Sequence, residues 1–311
     1  MKAIYPPAWR VAPLILWIGS LASVAHGGPL NEAFPVGACG GPETRLEASR
    51  AGSAMVQQAL SAGIPWDDAT LNEYVNRLGQ NLARNSGSSE VFSFYVLYNP
   101  AANAQAFPGG FIIINTGAIT LAESEDELAY VISHEIAHEN ACDWQPVAAR
   151  GNLYELICVV PTVVLGGPAG IAIAASTGWA AKAARARSHR TGEDRADRLA
   201  ASYLWRAGYD PGAATRFFDR LEAEQQRTGQ ETGGLMASHP RTADRRQKLE
   251  KLIPTFPAQN APPHDGSEFL KVRRAVLEYD EMYSRLASVP APGRQAPLPE
   301  LSRRSPESIS K

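Results

Sequence analysis

Residues 131–140 read VISHEIAHEN, and no other ten residues restrict this chain as much. His134 and His138 stand four apart, so on an α-helix they lie about 40° apart around the axis, one above the other. Two imidazoles placed this way can meet one ion. Glu135 follows the first histidine on a neighbouring line of the helix, beside such an ion rather than aimed at it, which suits it to hold a water. A solvated helix face would surround the histidines with polar residues. Instead Val131, Ile132, Ile136 and Ala137 surround them, so the helix is buried. Two unpaired imidazoles and a carboxylate are costly in such a place, and a metal ion removes that cost. Zinc accepts imidazole and carboxylate in a tetrahedral shell, and catalytic zinc keeps one position for water.

A third protein ligand must come from elsewhere. The pattern H-E-x-x-H-x-x-G-x-x-H fails here, because its last two marked positions hold Ala141 and Trp144. Residues 193–197 read EDRAD, with Glu193 and Asp197 again four apart, on a helix whose Ala196, Leu199, Ala200 and Tyr203 face a core. Glu193 is expected to complete the metal shell. Asp197 is expected to accept from the non-metal nitrogen of a histidine and fix its tautomer. Asp194 has the solvated part, beside Arg195 and Arg198.

The surrounding pattern is mainly helical with a small sheet, an α+β chain. Helices are expected over 45–62, 67–85, 193–207, 241–252 and 267–286, with another begun by Asp210-Pro211. Ser124 with Glu127 three residues on is a capping box that opens the metal helix, which should run to about Cys142. The β-branched and aromatic run at 91–98 and FIIIN at 111–115 read as strands, the second entered through Pro108-Gly109-Gly110. No internal repeat is found.

At the N-terminus, Lys2 and Arg10 precede the apolar run 11–24, and Ser23-Val24-Ala25 offers small residues at a cleavage spacing. Residues 1–26 therefore read as a signal peptide, and the mature chain as exported to a bacterial periplasm. The layout that follows is a 27–43 linker, a 44–255 zinc-site domain, a 256–287 linker and C-terminal helix, and a disordered tail over 288–311. Residues 156–175 carry no charge but are broken by Pro161, Gly166, Gly167, Pro168 and Gly170, so a membrane span is disfavoured. Two readings stand for this stretch: contact with a membrane surface, helped by Lys182, Arg185, Arg187 and Arg190, or a hairpin buried in the core. A net charge of -2 and a pI near 6.3 give no electrostatic case for nucleic acid.

Taken together these motifs resemble the zinc metallopeptidases that include the CAAX prenyl endopeptidases, HtpX and periplasmic quality-control proteases of the bacterial outer membrane. The resemblance rests on Asn103 to Gly110 (NAQAFPGG), HEIAH, EDRAD, Ala207 to Pro211 (AGYDP), and Ser238-His239-Pro240 with Arg245. It spans about 70 to 252. It implies a thermolysin-like zincin (gluzincin) fold and one Zn2+ per chain on His134, His138 and Glu193, with Glu135 as general base. It also places His239 near the zinc, either stabilising the oxyanion or filling the open position at rest, with Arg245 as a second oxyanion candidate. A polypeptide substrate is expected to lie along FIIIN, beside Ile113 and Ile114, with Asn103 bonding its backbone. The stretch after HEIAH often carries a further histidine in that family, and here it reads ENACDW. The activity implied is endoproteolysis of unfolded or misassembled envelope proteins. The alternative is a metal-loaded chaperone or adaptor of envelope protein assembly with little peptidase activity.

Overall fold

A computed structural model describes residues 42–143, 190–228, 239, 243–259 and 264–288. The expected signal peptide, almost all of the 27–43 linker, the 156–175 stretch and the tail beyond Ser288 lie outside the described residues. Eight helices and three strands follow one another among those described. They are α1 (Pro42–Ala62), α2 (Ala69–Ser86), β1 (Ser93–Leu97), β2 (Ala104–Phe107), β3 (Phe111–Asn115), α3 (Thr116–Leu121), α4 (Glu125–Asn140), α5 (Arg190–Ala207), α6 (Ala213–Thr228), α7 (Ala243–Leu252) and α8 (Ser267–Ser288).

Local chemistry explains the element ends. Asp68 caps α2 by accepting from Leu71 N at 2.8 Å, and Gly87 closes that helix in the left-handed region at φ 77. Ser124 accepts from Glu127 N at 3.3 Å to open α4, while the Glu127 carboxylate reaches back to Glu123 N at 2.8 Å. The expected helix to Cys142 ends two residues earlier, at Asn140. Cys142 then takes a left-handed φ of 55, which reverses the chain.

The sheet has the order β1-β3-β2. β1 runs parallel to β3, and β2 runs antiparallel to it across the Pro108-Gly109-Gly110 turn. This corrects one expectation. FIIIN is β3, the central strand, paired on both sides, so its backbone has no edge for an added strand. Ile113 and Ile114 are buried in the core rather than turned to a substrate. β2, a four-residue strand not expected from the sequence, is an outer strand and packs against α4.

α4 lies at the centre of the main core, with Leu128, Ile132 and Ile136 fully buried. α5, α2, α6 and β2 pack around it. α8 contributes Phe269, Val272 and Val276 to the same core, so the last helix is an integral part of the packed unit. None of the described helices is long and apolar enough to cross a membrane.

Candidate metal centre

Among the described residues α4 and α5 make the most extensive helix pair, and their facing surfaces carry the two motifs. His134 and His138 project from α4, Glu193 from the first turn of α5, and His239 from the chain between α6 and α7. These four form the group of metal-capable side chains found among the described residues. His134 Nε2 lies 3.0 Å from His138 Nε2 and 3.3 Å from His239 Nδ1. His138 Nε2 lies 3.2 Å from His239 Nδ1. Glu193 oxygens are 3.1 Å from His239 Nδ1 and 3.5 Å from each of the other two nitrogens.

These separations test whether an ion fits. Zinc bonds nitrogen and oxygen at about 2.0–2.1 Å, and a tetrahedron with such bonds has edges of roughly 3.3–3.4 Å. The donors stand at those edges. Three imidazole nitrogens and a carboxylate gathered this closely form a donor set that one cation can bridge. The set therefore suits a borderline-soft divalent metal.

Carboxylates and arginines on the far side of the ligands set their orientation. His134 Nδ1, the ring nitrogen outside the donor cluster, lies 3.1 Å from Asp197 Oδ1. Tyr130 donates to that oxygen at 2.8 Å, and Arg245 donates to both Asp197 oxygens at 2.7 Å. Arg245 also reaches Glu193 Oε2 at 3.0 Å. This buried guanidinium is thus committed to the carboxylates behind the site. His138 Nδ1 lies 2.8 Å from Asp143 Oδ2, and Arg195 pairs with the other Asp143 oxygen. Asp143 was not anticipated. It stands five residues past His138, beyond the helix end, and only the turn at Cys142 folds it back.

Electrostatics follow this layout. Burial works against the charge on Glu193, but the three histidines around it hold its carboxyl well below the usual range. Asp197 is likewise buried, and Arg245 and His134 hold it low. Burial disfavours the His134 imidazolium, yet bonds to Asp197 and Glu193 prevail and raise it to about 9. Burial lowers His239.

Glu135 is buried beside this cluster without belonging to its four donors. Its Oε2 accepts from Ala106 N of β2 at 2.8 Å, and its Oε1 lies 3.4 Å from His239 Nε2. Asn103 is buried just before β2, where its carbonyl accepts from Asn115 N at 2.9 Å. Asp194 pairs with Lys248 at 2.6 Å, away from the donors.

A small sheet, a buried H-E-x-x-H helix packed on it and a second helix that delivers a carboxylate define the zincin fold, in its mostly helical form. The model of Peptidase family M48 matches residues 69–253, which is more than half of the sequence, and the chain belongs to that family. It is 27% identical over 239 residues to a beta-barrel assembly-enhancing protease of Yersinia pestis, covering 73% of this chain and 49% of that protein. It is 27% identical over 220 residues to the protein of the same name from Escherichia coli (strain K12), covering 65% and 44%. With the mitochondrial metalloendopeptidase OMA1 of Schizosaccharomyces pombe it shares 25% identity over 183 residues, covering 58% and 52%. The chain spans less than half the length of these bacterial relatives.

Proposed function

We propose that this chain is a zinc-dependent endopeptidase, with one zinc on His134, His138 and Glu193, acting on unfolded or misassembled proteins of a bacterial envelope. The observation that carries the reading is the tetrahedral donor cluster with a buried, non-ligating Glu135 at its side. The names of the bacterial relatives support the envelope setting, as does the signal-like N-terminus. A zinc ion held there would polarise the scissile carbonyl and acidify a water.

The chain's own residues supply the rest. Glu135 takes the proton of the attacking water and passes it to the leaving amine. Asp197 and Asp143 keep the two α4 imidazoles in the tautomers that present Nε2. Arg245 offsets the charge of Glu193 and Asp197. His239 would serve as a fourth donor at rest; once released, its imidazole would stay near enough to donate to an oxyanion.

The sheet order supports a path for the polypeptide. Asn103 accepts from Asn115 of β3, so Ala104 and Ala106, of the opposite parity, direct their backbone groups away from β3. The outer side of β2 is therefore the edge on which an extended substrate adds as a strand, beside Glu135. Such pairing uses main-chain groups and depends little on sequence, which suits unfolded substrates.

Four protein donors around one ion also favour a second reading, a metal-loaded chaperone or adaptor with little peptidase activity. Glu135→Gln separates the two. On the peptidase reading the wild type cleaves casein, the Gln variant does not, and both bind one zinc. Casein left intact by zinc-loaded wild type would favour the adaptor. Activity retained by the Gln variant would remove Glu135 as the base.

A further inference from the structure

The stretch HEIAHE repeats the pair His-Glu, first at His134-Glu135 and again at His138-Glu139. The two glutamates thus form their own line on α4, about 100° around the helix from the histidines. The structure shows what that second line meets. Glu135 accepts from Ala106 N of β2 at 2.8 Å. One turn further on, Glu139 Oε1 accepts from Gly109 N at 2.8 Å and from Gly110 N at 3.0 Å. Glu139 is only 2% exposed.

The turn is shaped for this grip. Gly109 and Gly110 have φ of 90 and 82, which turns two successive N–H groups toward one point. Its other sides are closed. A Cβ on Gly109 would lie 2.5 Å from Ser49 Cα of α1, and one on Gly110 would lie 2.3 Å from Val91 O. The β2–β3 hairpin is therefore tied to the metal helix at two places: through Ala106 in the strand and through Glu139 at the turn. The Ala106 tie is the one an added strand would compete for, since its N–H points to the outer edge of β2. The Glu139 tie stays in place whether or not that edge is filled.

We propose that Glu139 is a positioning residue for substrate. By gripping the Gly109-Gly110 turn, it sets the height of the β2 edge against Glu135 and the metal donors. It thereby fixes the register in which an extended polypeptide is presented. This rests on the peptidase reading and adds to it a residue that touches neither metal nor substrate.

The test uses the full-length zinc-loaded protein and quenched fluorescent peptides that lengthen on both sides of one cleavable bond. Wild-type kcat/KM is expected to rise with length as more of the peptide pairs along β2. Glu139→Leu should hold zinc as wild type does and cleave the shortest peptides as well. On the longest it should lose roughly 10–100-fold in kcat/KM, chiefly through KM, the size expected when a bound group is misplaced by about 1 Å. Glu139→Gln keeps an oxygen acceptor at full reach and should restore the length dependence. Glu139→Asp, one methylene shorter, should not. If the Leu variant fails to fold, the contrast between Gln and Asp decides the matter. A wild-type length dependence in Glu139→Leu or in Glu139→Asp overturns the proposal, as does equal loss on short and long peptides. Wild type that cleaves without any length dependence overturns pairing along β2 and this role with it. Wild type that cleaves nothing overturns the peptidase reading itself.

Discussion

Asp197 holds more of the centre than any ligand does, and removing it should separate stability from metal affinity. Asp197 is 2% exposed; its two oxygens receive the Arg245 guanidinium twice at 2.7 Å, and Oδ1 receives Tyr130 O–H at 2.8 Å and lies 3.1 Å from His134 Nδ1. Asp197→Ala leaves the buried guanidinium facing Glu193 alone among these carboxylates. Cutting one partner from a buried ion pair costs about 3–5 kcal/mol. The Tyr130 hydroxyl belongs to the same network, so its loss lies within that figure rather than on top of it. The metal-free protein should therefore lose about 4 kcal/mol in urea unfolding followed by circular dichroism, with a melting temperature about 8–16 °C lower. Zinc affinity, measured by competition with a chelator, should fall roughly 10–100-fold, because His134 loses the group that orients it. The double variant Asp197→Ala/Arg245→Met removes both charges and should recover most of the stability while affinity stays low. Recovery of both properties in the double variant would refute the orienting role. A stability loss under about 1 kcal/mol in the single variant would refute the buried pair.

Glu193→Ala should weaken zinc binding far more than Asp197→Ala does, and Asp194→Ala should leave it nearly unchanged; a chelator titration gives the order. Asp143→Ala should lower zinc affinity about tenfold, at the smaller end of the range because Asp143 is partly exposed and orients one imidazole only. His239→Ala should keep zinc on the remaining donors but let a chelator strip it faster, as stopped-flow release would show. Replacing 156–175 with a Gly/Ser linker decides between the two readings of that stretch: flotation with liposomes lost while folding and casein cleavage persist would mean membrane contact. Unfolding of that variant, with no flotation by the parent, would make the stretch ordinary core.

HEIAH and EDRAD were legible in the sequence because helical spacing alone puts their side chains on shared lines, and the structure keeps both lines. Asp143 was not legible, since its place depends on a left-handed residue after the helix end and not on any period. His239 could be reached only through likeness to a family, as a lone histidine before a proline carries no spacing signal. The strand error is instructive. FIIIN has no polar alternation, and an unbroken apolar run marks a strand covered on both faces. AQAF carries little β signal, being alanines and a glutamine around one aromatic, yet its plainness suits a strand that offers its backbone. Arg245 sits against Glu193 and Asp197 for an electrostatic reason. Two buried carboxylates behind the ligands need a cation more than the open side does.

The wide separation of the metal donors along the chain bears on how the protein is born. His134 and His138 meet within one turn, but His239 lies 105 residues from His134 and 46 from Glu193. A nascent α4 offers only a two-histidine site, and the tight site waits for two long loops to close, the slow part of folding. A four-donor metal site can therefore form only late, as the fold completes. If the protein's substrates are unfolded chains, as proposed, late assembly of the site would keep the polypeptide inert until it is no longer such a substrate itself.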